Sequence, residues 1–160
     1  MPAKRPDKAR VCLTRVDFYV LEEADSGARR RLACRLAEKA FAQSHRVLML
    51  TADGEEARQL DDLWWTFRDR SFVPHEIVTP GKTSGVRVLI CTPESAAGTS
   101  ADILINVSDR MPADPERFTR IVEAVDGEQA RRQAGRDRYR AYRDRGLSLE
   151  SHNVSASHEI

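Results

Sequence analysis

The chain has 160 residues, 41% of them hydrophobic and 32% charged, which fits one globular domain with a real core and excludes a disordered or fibrous protein. Its 26 basic and 25 acidic residues leave a formal charge of +1, a balance that argues against binding nucleic acid through the bulk of its surface. Cysteines at 12, 34 and 91 form no closely spaced pair and read as small apolar residues in a reducing compartment, not as a disulfide framework or zinc site.

Residues 1–13 read as a flexible, base-rich tail without the apolar core of a signal peptide. No apolar run approaches the roughly 20 residues of a membrane span, so a cytoplasmic protein without membrane attachment is expected. Val16 to Leu21 is a β-rich run and the expected first strand. A turn from Glu22 leads to a helix capped by Asp25 or Ser26, with Leu32, Ala33, Leu36, Ala37, Ala40 and Phe41 as its apolar stripe. Residues 46–51 enclose Val47-Leu48-Met49-Leu50, a continuous apolar run suited to a strand covered on both faces.

Asp53 followed by Glu56 forms a capping box that opens a second helix, on which Ala57, Leu60, Leu63, Trp64 and Phe67 share one face. Two more buried strands are expected at 86–91 and 103–107, with a polar loop at 92–101 between them. Pro115 to Val125 reads as a third helix, with Asp114 as N-cap and Phe118, Ile121, Val122 and Val125 facing inward. Gly127 separates it from a basic helical run that ends near Arg145. Strands alternating with helices predict a single α/β domain over 14–150, a mostly parallel sheet flanked by helices, with 151–160 as a C-terminal tail.

That order invites a nucleotide site, but the motifs fail. The turn after the first strand, EEADSGA, lacks the spaced glycines of a dinucleotide fingerprint. Gly81-Lys82-Thr83 imitates the end of a phosphate-binding loop, yet Glu76 stands where its first glycine is required. His45, His75, His152 and His158 have no metal-ligand spacing, and His45 and His75 read as structural. Asp61 and Asp62 point about 100° apart on a helix and read as a solvated face. No nucleophile has a recognisable base beside it, so neither catalysis nor a cofactor or metal is expected.

Two clusters remain. The run RRQAGRDRYRAYRDR, from Arg131 to Arg145, concentrates the basic character of the chain. On a helix Arg132, Arg136, Tyr139, Arg140 and Arg143 fall within an arc of roughly 100°, and Asp137 and Asp144 land opposite, leaving the arginines without local neutralisation. Guanidiniums beside aromatic rings suit either a nucleic acid or an acidic peptide ending in an aromatic residue; a solvated helix face is the plainer alternative. The second cluster is Trp65, which lies roughly 140° from Leu60 and off the apolar stripe, followed by Phe72-Val73-Pro74. Exposed aromatics beside proline suit a protein–protein contact, unless the chain bends after Trp64 and buries Trp65.

The segments LDDLWWTFRDRSFVPHE, RDRYRAYRDRGLSLESHN and VDFYVL resemble the chi subunit of the bacterial DNA polymerase III holoenzyme, and the similarity runs from Thr14 to Asn153. The resemblance implies an α/β domain shaped like nucleotide-binding folds but without a nucleotide site. It implies a non-catalytic accessory subunit of the clamp-loader complex that joins two partners in DNA replication. One is the acidic C-terminal tail of single-stranded-DNA-binding protein, ending in Ile-Pro-Phe. The other is a small psi-like subunit. Carried over by position, the tail site would use Val125, Arg136, Tyr139, Arg140, Leu149 and Ser151, with Arg132 and Arg143 steering at longer range. Arg140 stands where lysine is common, which keeps the charge and adds bidentate capacity. Contact with psi would map to Trp65, Phe72, Val73 and Pro74. DNA would then be bound only indirectly; the alternative is a direct single-stranded nucleic-acid-binding module that uses the C-terminal Arg/Tyr face. A nucleotide-binding enzyme on the same scaffold has no motif in its favour.

Overall fold

The computed structural model describes residues 14–66, 73–79 and 85–155. Among them seven strands form one sheet: β1 (Arg15–Leu21), β2 (Val47–Leu50), β3 (His75–Ile77), β4 (Val88–Cys91), β5 (Ile103–Asn106), β6 (Arg120–Val125) and β7 (Ser148–Val154). Their order is β3-β4-β2-β5-β6-β1-β7, and every neighbouring pair is parallel. Four α-helices accompany them: α1 (Ser26–Ala42), α2 (Gly54–Thr66), α3 (Pro93–Ala96) and α4 (Gln129–Asp144). None is long and apolar enough to cross a membrane.

Local signals start the first two helices. The Asp25 carboxylate accepts from Ala28 N at 3.1 Å and caps α1. Asp53 Oδ1 accepts from Glu56 N at 2.9 Å, and Glu56 Oε1 accepts in return from Ala52 N at 2.8 Å, so the capping box closes one residue early. β2, β4 and β5 are buried along their whole length, as continuous apolar runs in a parallel sheet require. On one face α1 and α2 pack against Met49, Ile90, Ile105 and Val122. On the other, Leu48, Leu104, Ile121 and Val125 meet Phe118 and, from α4, Tyr142.

The expected third helix is not there. Residues 115–117 make a 3-10 turn and 120–125 are β6. Asp114 has φ of 49° and gives no side-chain cap. Ile121 and Val125 face α4 while Val122 and Ala124 face α1, so the apolar run serves both faces of a central strand. Over so short a run helical and buried-strand periods fit equally, and pairing to both β5 and β1 decides. The polar loop at 92–101 also contains α3, where Ser95 Oγ accepts from Thr92 N at 3.1 Å. The strands expected at 86–91 and 103–107 are shorter by a residue or two. β7 continues to Val154, into the segment assigned to the C-terminal tail, because its register with β1 is unbroken.

Candidate peptide-binding pocket

The position of α4 is fixed from beneath. Gly127 N donates to Glu23 O at 2.8 Å, and a Cβ at Gly127 would stand 2.4 Å from Glu22 O, so this close approach requires glycine. Asp126 is fully buried and takes two bonds from Arg131, 2.8 and 2.7 Å long. Burial opposes ionisation of Asp126, but these bonds and the Glu128 backbone N–H hold its carboxyl below the usual range. Glu128 then caps the helix, accepting from Arg131 N at 2.8 Å.

The midpoint of α4 is held by a buried polar knot. Glu123, on β6, has 0% exposure. It accepts from Arg138 Nε at 3.0 Å, Tyr142 Oη at 2.6 Å and Asn106 Nδ2 at 3.1 Å. Arg138 also donates to Asp109 O at 2.8 Å. Burial pushes the Glu123 carboxyl above its ordinary range, against Arg138, Tyr142 and Asn106, which favour its ionised form. The Tyr142 phenol is pushed up by burial and by Glu123. Phe18 of β1 packs between two rings of α4, with its centroid 5.3 Å from Tyr139 and 6.0 Å from Tyr142. Turning Arg138 and Tyr142 down to the sheet sets the helix phase, and Arg132, Arg136 and Tyr139 come to overhang β1 and β7.

Between α4 and these strands lies a cavity of about 310 Å³, within the range of small-ligand sites. Phe18, Val20, Val125, Gly135 and Tyr139 supply its apolar wall; Arg132, Arg136, Ser151 and Asn153 supply the polar one. Gly135 forms part of that wall because a Cβ there would lie 3.2 Å from Val125 Cγ2. Arg132 Nη2 donates to Leu21 O at 3.3 Å, and Arg136 is exposed at the mouth. The result is a greasy slot for one side chain under two cations.

Of the residues assigned to the tail site, Val125, Arg132, Arg136, Tyr139 and Ser151 converge on this cavity. Leu149 packs on the underlying core without lining it. Arg140 and Arg143 stand outside, and the expectation that the acids leave the arginines alone is corrected. Arg140 is paired with Asp137, one turn back, and Arg143 Nε lies 3.9 Å from Asp144. In the Arg140–Asp137 pair, long side chains three positions apart reach across the angular gap that a helical wheel displays, whereas Arg143 and Asp144 are neighbours in sequence. Phe18, Val20, Gly135 and Asn153 were not anticipated; a glycine inside a basic helix was the available signal.

The second cluster divides. Trp65 is 60% exposed on α2, which answers the alternative of a buried ring. Its ring meets His75 edge-on at 5.1 Å, and Pro74 is exposed beside it. Val73 is only 4% exposed and belongs to the core under α2, so it is corrected from contact residue to packing residue. Phe72 and Phe67 lie outside the described residues. His75 is stacked on Trp64 at 5.4 Å, with Nδ1 2.8 Å from Val73 O. Asp61 is not simply solvated, since its carboxylate faces His75 Nε2 at 3.2 Å.

Asp17, Glu150 and His152 bring one potential metal-ligand atom each within 4.8 Å of one another on the sheet face opposite α4. Arg120 and Arg15 already occupy the Asp17 carboxylate at 2.8 and 3.1 Å. Two guanidiniums there would repel a dication, so the group is better described as an ion-pair cluster tying β1, β6 and β7 together.

Residues 13–150 match the protein-family model described as "DNA polymerase III chi subunit, HolC". A DNA polymerase III subunit chi from Pseudomonas aeruginosa is 39% identical over 142 residues, which cover 89% of this chain and 98% of that protein. Proteins of the same name from Escherichia coli K12 and Haemophilus influenzae are 31% and 26% identical, covering 84% and 86% of this chain and 94% and 95% of their own lengths.

Proposed function

This chain belongs to the DNA polymerase III chi subunit family, and we propose that it serves there as a non-catalytic cytoplasmic adaptor between the clamp loader and single-stranded DNA coated by its binding protein. The cavity under α4 takes the acidic C-terminal tail of single-stranded-DNA-binding protein. The observation that carries this reading is the convergence of Arg132 and Arg136 over Phe18, Val125 and Tyr139. Such a slot accepts a terminal aromatic ring while the guanidiniums meet the terminal carboxylate and the acids before it. Trp65 and Pro74, on the α2 side, receive a psi-like subunit.

The test is fluorescence anisotropy of a labelled acidic peptide ending in Ile-Pro-Phe, beside the same peptide without the phenylalanine. Binding that disappears with the ring supports the adaptor reading. Equal binding of both peptides, joined by tight, salt-steep binding of naked single-stranded DNA, would replace it with direct nucleic-acid recognition.

A further inference from the structure

The sheet ends differently on its two sides. β3 is a three-residue edge, whereas β7 is a seven-residue edge in unbroken register with β1. Among the described residues no strand pairs with the outer side of β7. Ser148 N donates to Thr14 O at 3.3 Å, and Glu22 N donates to Val154 O at 3.3 Å. The even-numbered residues of β7 therefore bond to β1. By strand alternation, Leu149, Ser151 and Asn153 turn their backbone N–H and C=O groups to the open edge.

Open edges are normally blunted by shortness, proline, a bulge or an outward lysine. The sequence SLESHNV of β7 has none of these. Its one acid, Glu150, is held by Arg15 at 3.3 Å. The side chains of Ser151 and Asn153 line the pocket below Arg132 and Arg136, so open backbone, apolar slot and cations adjoin. An extended ligand here meets positive charge, which selects an acidic chain over a neutral or basic one.

We infer that an acidic peptide whose aromatic end fills the pocket adds its preceding residues as an extra strand along the outer edge of β7, paired to Leu149, Ser151 and Asn153. This rests on the tail-binding reading and specifies how the peptide backbone is held. Affinity then comes partly from main-chain bonds and tolerates changes among the acidic side chains.

The experiment uses the full chain and the acidic peptide ending in Ile-Pro-Phe, with single backbone N-methyl groups placed in turn along its acidic segment. Every second N-methyl should weaken binding by about fivefold or more, the loss expected for one backbone hydrogen bond. Residue-resolved amide exchange should slow at 149, 151 and 153 when the unmodified peptide binds. Tight binding with no alternation and no slowing at these amides overturns the strand addition and leaves the pocket reading intact. Absence of binding by the unmodified peptide overturns both. Slowing that follows protein concentration without peptide, with a dimer in sedimentation, assigns the edge to a second copy and overturns the inference.

Discussion

Replacing Arg138 with alanine tests whether the buried knot under α4 holds the pocket together. Glu123 has 0% exposure, and Arg138 is its ion-pair partner among the described residues. Removing one member of a buried pair costs about 3–5 kcal/mol, because the other charge stays behind without compensation. Tyr142 and Asn106 would remain as donors to Glu123. That places the expected loss at about 4 kcal/mol at pH 8. Burial already pushes the Glu123 carboxyl up, and losing the guanidinium raises it further.

A carboxyl raised in the folded state binds more protons there than in the unfolded chain. Stability of the variant should therefore fall as pH rises through that window, by at most about 1.4 kcal/mol per pH unit. Protonation relieves the charge, so the deficit should be clearly smaller at pH 5 than at pH 8. Urea unfolding followed by circular dichroism at both values measures it. A loss below about 1 kcal/mol, or one equal at both pH values, would refute the reasoning. The double replacement Glu123→Gln with Arg138→Met removes both charges and should recover most of the stability.

Gly135→Ala gains about 1 kcal/mol of helix propensity and loses a similar amount by crowding Val125, so the melting temperature should barely move. The added methyl narrows the cavity, and peptide affinity should fall at least fivefold; unchanged affinity would remove Gly135 from the site. Arg136→Ala should weaken the peptide about tenfold, as expected for a charged hydrogen bond, and Arg140→Ala less than threefold because Asp137 already engages that guanidinium. Equal losses in the two anisotropy titrations would contradict the assignment of the pocket wall. Trp65→Ala should change stability by less than about 1 kcal/mol while abolishing co-sedimentation with a psi-like subunit, since the ring is 60% exposed. Retained association would show that the partner docks elsewhere.

Much of the architecture was written in local sequence. Asp25, Asp53 and Glu56 mark helix starts because their carboxylates satisfy N–H groups a few residues away. The apolar runs of β2, β4 and β5 announce a sheet covered on both faces. The Arg/Tyr run declared a helix, and helical spacing put Trp65 off the apolar stripe, where the folded chain leaves it exposed. Tertiary structure decided the rest. Whether 120–125 was helix or strand depended on bonds to β5 and β1, which are distant in sequence. Val73 and Trp65 looked alike as apolar residues near one surface until packing put one inside and left the other out. Which arginines face the pocket was set by Glu123, a β6 residue that draws Arg138 and Tyr142 inward and so fixes the rotation of α4. A helical wheel gives relative angles along one helix; the absolute phase comes from the burial of partners that only the folded chain brings together.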